Sequence, residues 1–165
     1  MPVNEHCPDD EPVVLDCALE LCVEGDYCRG RVRVEQDGRI LFYEHVSTLG
    51  LIASLRGNTQ EPVMTCTCTV PECAGFYEQE SWLLPDCVHW SLRYHGDDLD
   101  LFFDRNAYET AALSILRHFH DHPWASCDFG TVPDEYANYE DFVRTLDELF
   151  DDCPHLAAIW KESSP

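Results

Sequence analysis

Val88-His89-Trp90-Ser91-Leu92-Arg93-Tyr94-His95-Gly96-Asp97-Asp98-Leu99-Asp100-Leu101-Phe102-Phe103-Asp104 is the stretch that decides the fold. Val88, Trp90, Leu92 and Tyr94 recur every second residue with His89, Ser91 and Arg93 between them, which is the period of a half-buried strand. Gly96-Asp97 supplies a turn, and Leu99 to Phe103 returns as the second strand of a hairpin. The period then changes. Tyr108, Ala112, Ile115 and Phe119 recur at helical spacing, Asp104 stands where an N-cap is needed, and Phe103 with Tyr108 can staple the first turn. A ββα unit is therefore predicted over residues 88–117.

Toward the N-terminus the same grammar repeats. Val13, Leu15, Cys17, Leu19, Leu21 and Val23 alternate with Asp16, Ala18, Glu20 and Cys22, predicting a half-buried strand over 13–23. Arg31 to Glu35 alternates again, Asp37-Gly38 carries a type I′ turn signal, and Ile40 to Tyr43 forms the return strand. Ser47 or Thr48 can cap a short helix that runs to about Arg56, where Gly57-Asn58 ends it; residues 57–62 read as a loop. Toward the C-terminus, Asn138 is a cap for a long helix with Phe142, Leu146, Leu149 and Phe150 on its inner face. Pro154 breaks that helix, and a short helical tail runs through Trp160.

These elements predict one α+β domain over residues 1–165: an antiparallel sheet with helices packed on one face. It divides into a flexible N-terminal segment (1–12), a meander plus helix (13–56), a cysteine-rich segment with hairpin and helix (63–120) and C-terminal helices (138–161). Hairpin, aromatic pair and helix occur twice, at 32–56 with Phe42-Tyr43 and at 88–117 with Phe102-Phe103, so a duplicated ββα unit and a continuous or two-layer sheet are also expected.

Charge bounds the function. The chain has 32 acidic and ten basic residues, nine of them Arg, for a net charge of -22. Such a field repels phosphate backbones and anionic lipid, so direct nucleic-acid and membrane binding are not expected. No apolar run approaches the ~20 residues of a spanning helix, and the acidic start lacks the features of a secretory signal; the reading is a cytoplasmic protein. Its carboxylates crowd two places: Asp97, Asp98, Asp100 and Asp104 on the second hairpin, and residues 134–152, where eight acids meet Arg144 alone. On the last helix Glu140, Asp147 and Asp151 fall on one stripe beside Asp141, Glu148 and Asp152. A field of one sign steers a basic protein into contact. The plain alternative is that these acids keep the surface solvated or reflect adaptation to salt or base composition.

Cysteine offers a different chemistry. Cys66-Thr67-Cys68-Thr69-Val70-Pro71-Glu72-Cys73 is a C-x-C-x4-C run, and Cys87 and His89 stand on the next strand. Two cysteines one residue apart in an extended segment point the same way, and zinc in structural sites takes four tetrahedral ligands. Cys66, Cys68 and Cys73 with Cys87 or His89 would close such a site, contributing on the order of 10 kcal/mol or more to folding. Buried thiols in a tight turn are the alternative, with no cofactor at all.

Catalytic signatures are sparse. His118-Phe119-His120-Asp121-His122 resembles the H-x-H-x-D-H ligand motif of metallo-β-lactamase-like hydrolases, but lacks the residue between His120 and Asp121 and ends a helix, where imidazolium suits the dipole. No nucleophile elbow or phosphate-binding glycine loop occurs. Catalysis is not expected, and an unrecognised metal-dependent hydrolase using these histidines is the reading against it.

Cys66 to Phe76, then Val88-His89-Trp90, Phe102-Phe103-Asp104 and Tyr108, resemble a group of small bacterial proteins that carry a C-x-C-x4-C-A-G stretch before a hairpin and helix. The resemblance covers residues 63–120, and Thr69 stands where the group has Gly. Such acidic proteins also resemble immunity proteins of bacterial toxin systems, which implies partner binding without catalysis. The expected function is an acidic inhibitor or immunity-type protein that masks a basic toxin or nuclease with Asp97, Asp98, Asp100, Asp147, Glu148, Asp151 and Asp152. A phage DNA mimic aimed at host defence uses the same physics; a zinc-stabilised structural or regulatory module is a second class.

Overall fold

Alternating apolar residues form strands here because each strand buries one side against helices. The computed structural model describes residues 14–23, 30–65, 78–94, 96–121 and 139–163. In chain order the elements are β1 (Cys17–Val23), β2 (Gly30–Gln36), β3 (Arg39–Val46), α1 (Thr48–Arg56), β4 (Met64–Thr65), β5 (Gln79–Leu83), β6 (Cys87–Tyr94), β7 (Asp97–Asp104), α2 (Arg105–Asp121), α3 (Tyr139–Asp152) and α4 (Pro154–Glu162). The strands make one seven-stranded sheet in the order β4-β3-β2-β1-β7-β6-β5. Both ββα units, β2-β3-α1 and β6-β7-α2, are present, and their strands belong to one continuous sheet.

The sheet is α+β in character and mostly antiparallel, but mixed: β1 and β7 run parallel, with Cys17 opposite Phe103. Local alternation carries no information about which two strands meet at the centre, and this pairing was not foreseen. Val32, Val34, Val88, Trp90, Leu101 and Phe103 share the face that the helices cover, all at 2 % exposure or less. Trp90, Phe103 and Tyr108 form its aromatic centre, with ring centroids 4.8 to 5.8 Å apart. A large side chain so buried contributes about 1.5–3 kcal/mol.

Local signals set the helix starts. Ser47 caps α1, its Oγ accepting from Gly50 N–H at 3.2 Å, and Asp104 caps α2 through Ala107 N–H at 2.8 Å. Asp37 and Gly38 take positive φ of 50° and 79°, as the type I′ turn requires. Gly50 has a different reason: a Cβ there would lie 1.8 Å from the Pro62 carbonyl oxygen, so α1 packs directly on backbone. Buried Ser54 and Tyr108 hydroxyls, 2.7 Å apart, then tie α1 to α2.

Boundaries moved in four places. The first strand starts at Cys17, not residue 13, because Asp37 N–H already closes the β1–β2 pair on Asp16 O, leaving Val14 and Leu15 exposed. The return strand extends to Val46, where β4 adds to it. β5 lies in a stretch with no strand expectation. Pro154 begins α4 as well as ending α3, since proline is well placed in a first helical turn. The N-terminal segment 1–12, Val13, Asn138 and the cysteine run 66–73, on which expectations were placed, lie outside the described residues.

The sheet's β5 edge is closed by its neighbouring loop. Thr59 and Ser81 exchange backbone hydrogen bonds at 2.9 and 2.8 Å, and Leu83 N–H donates to Asn58 Oδ1 at 3.0 Å.

Candidate functional site

The amphipathic pattern of α3 fixes which residues face out. Phe142, Leu146 and Leu149 are buried at 1 % exposure or less, and half-buried Phe150 packs on Trp160 with centroids 5.1 Å apart. The opposite side carries Glu140, Asp147, Glu148 and Asp151, all exposed. Arg144, on the same side, is paired with Asp141, and Asp152 with Arg56 of α1. Asp147, Glu148 and Asp151 have no cationic partner among the described residues.

Their position on the helix runs against local electrostatics. Glu140 and Asp141 sit in the first turn, where the macrodipole favours anions, but the last turn holds no base. Asp151 and Asp152 instead stand in the last turn, at the negative end, with Asp147 and Glu148 one turn before them. Asp147 with Asp151, and Glu148 with Asp152, are like charges four residues apart, each pair costing roughly 0.2–0.5 kcal/mol.

The β7 acids are arranged differently. Asp98 faces Arg93 across the hairpin, with Nε donating to Oδ1 at 2.9 Å. That hydrogen bond and charge hold the Asp98 carboxyl below the usual carboxylate range and push the Arg93 guanidinium up. Asp100 Oδ1 lies 2.9 Å from Nε2 of His89, whose ring is buried. That imidazole is stacked between Trp82 and Phe102, at 4.9 and 4.3 Å. The alternation of β6 foretold that His89 points away from the core; it gave no sign that two cross-strand rings would bury it. Asp97, expected in the turn, is the first residue of β7 and is exposed.

Thus the seven sequence-predicted acids form two surfaces. Asp98 and Asp100 project from the sheet face opposite the helices, whereas Asp147, Glu148 and Asp151 project from the helix layer. They are not brought together.

Cys66, Cys68 and Cys73 lie outside the described residues, as does His122. Cys87 and His89 share the outer face of β6, two residues apart. No group of three or more His, Cys, Asp or Glu is arranged to hold a metal ion among the described residues. Burial pushes the Cys17 thiol up to about 11 and raises that of Cys153 as well, which disfavours the thiolates that metals and electrophiles need. His118 and His120 end α2; His120 Nδ1 is 3.1 Å from Asp121 Oδ1, and its ring meets the Trp160 ring edge-on at 5.5 Å.

Sequence reading missed one ionic cluster. Glu109, 2 % exposed, places Oε1 3.3 Å from Arg105 Nε and Oε2 2.6 Å from His155 Nε2. It ties α2 to α4 with both carboxylate oxygens engaged. The i,i+4 spacing of Arg105 and Glu109 was a legible signal; its inward direction was not. No helix is long and apolar enough to cross a membrane among the described residues. No protein-family model matches the chain, and no curated protein or solved structure matches it.

Proposed function

We propose that this chain is a non-enzymatic acidic binding protein of the inhibitor or immunity type, neutralising a basic protein such as a toxin or nuclease with α3 as its main contact surface. The observation that carries the reading is the negative end of α3. Three exposed carboxylates, Asp147, Glu148 and Asp151, stand in its last two turns without a cationic partner among the described residues, in an arrangement that lowers the stability of the isolated helix. A surface that breaks a local rule without a local gain is where function is expected. A cationic partner would relieve that repulsion, so binding and helix electrostatics favour the same contact. A DNA-mimic role directed at a nucleic-acid-processing enzyme uses the same carboxylates.

The test is affinity capture of a basic protein on the immobilised full chain, followed by titration of that partner at increasing salt. Binding should weaken steeply with salt and fall in the Asp147→Lys/Glu148→Lys/Asp151→Lys variant. Affinity unchanged by that variant would sink the α3 surface.

A structural zinc is compatible with this reading. The placement of Cys87 and His89 on one face of β6 favours it, and the stacking of His89 between Trp82 and Phe102 favours Cys87 as the fourth ligand beside Cys66, Cys68 and Cys73. Metal analysis of the purified, untagged chain decides it: less than stoichiometric zinc removes the site.

A further inference from the structure

β1 runs past the end of β7. Cys17 pairs with Phe103 just before β7 stops at Asp104, so residues 18–23 have β2 on one side and, among the described residues, no strand on the other. The hydrogen bond from Asp37 N–H to Asp16 O at 3.0 Å sets the phase. In an antiparallel pair a residue's N–H and C=O point to the same side and successive residues alternate. Even-numbered residues of β1 therefore aim at β2, and buried Leu19 and half-buried Leu21 turn their N–H and C=O to the other side. That side is a groove of about 660 Å³. Leu19, Glu20 and Leu21 line it as three consecutive residues, which a strand shows together along its edge. Facing them are Ala107, Ala111 and Ser114 of α2, whose short side chains leave the slot unfilled by the described residues.

We infer that this groove accepts an extended segment of the basic partner as an added strand, with apolar residues entering the slot and Lys or Arg alternating with them on the outer side. The inference rests on the basic-partner reading above. Main-chain pairing would give affinity and the alternating side chains specificity. Charge selects the occupant. Glu20, on the outer side of β1, and Glu35 share the single guanidinium of Arg33, which leaves a surplus of one negative charge among these three groups. A second copy brings another -22, and antiparallel self-pairing centred on Glu20 would oppose two carboxylates.

The probe is the peptide acetyl-Val-Arg-Val-Arg-Val-Arg-Val-amide, titrated into the full chain beside its Val-Glu counterpart. The Val-Arg peptide should bind, slow amide exchange at Leu19 and Leu21, and lose about tenfold or more in affinity on Ala107→Phe/Ser114→Phe, which fills the groove from exposed helix positions. The Val-Glu peptide should not bind. An unchanged affinity in the filled variant, or no protection at Leu19 and Leu21, overturns the inference. So does a dimer in sedimentation that the filled variant dissociates, since it assigns the groove to a second copy. If groove filling leaves peptide binding intact while the α3 reversal abolishes partner capture, this inference fails and the proposed function stands. The opposite pattern fails α3 alone. An unchanged melting temperature of the filled variant shows that the fold is kept.

Discussion

Asp98 and Asp100 on β7, and Asp147, Glu148 and Asp151 on α3, are all exposed carboxylates, but they spend their charge differently. On β7, Asp98 faces Arg93 and Asp100 faces His89, so the hairpin uses its acids to fix its own side chains. On α3 the three acids meet no cation among the described residues, and Asp151 in the last turn opposes the helix dipole. A carboxylate that has a cation to itself within the molecule has less charge left for a partner than one that has none. Local acidity and available acidity are therefore separate properties.

The largest effect that can break this comparison is on binding. The Asp147→Lys/Glu148→Lys/Asp151→Lys variant should weaken a captured basic partner about hundredfold at low salt, whereas Asp97→Asn/Asp98→Asn/Asp100→Asn should change it about threefold or less, as titration of both variants would reveal. Equal losses would erase the distinction. Next in size, Asp100→Asn should cost about 1–2 kcal/mol in urea unfolding, because the buried His89 ring loses the carboxylate at its Nε2. Asp151→Asn should act in the other sense, raising stability by about 0.3–1 kcal/mol and the melting temperature with it. A fall in melting temperature there would mean that Asp151 has a stabilising partner after all.

The smallest effect is at Arg93. Because Arg93 holds the Asp98 carboxyl low, their pairing supports folding fully above the ordinary carboxylate value and is lost as pH falls from there through the lowered value of the folded state. Arg93→Gln should flatten that acid limb slightly in a pH series of melting curves. An unchanged acid limb would show the pair to be fully screened.

Much of the fold was legible because its signals are local. The caps at Ser47 and Asp104, the Asp37-Gly38 turn and the Phe103–Tyr108 staple each need only neighbours in sequence. What stayed hidden depends on contacts between distant segments. The parallel meeting of β1 with β7, the burial of His89 between Trp82 and Phe102, and the inward carboxylate of Glu109 are of this kind. For the candidate site, helical spacing revealed the α3 stripe. Whether a carboxylate is already paired depends on who stands opposite: Asp98 and Asp147 read alike in the sequence, and only the cross-strand register of Arg93 separates them.

The loop that crosses β5 also bears on how this chain behaves in a crowded solution. Growth of a β-polymer by sheet extension needs each subunit to offer an open edge at both ends. Thr59 and Asn58 already hold the backbone of Ser81 and Leu83. The β5 end of the sheet therefore takes no further strand, and a filament that grows by adding sheet to sheet is blocked there even in concentrated, charge-screened samples.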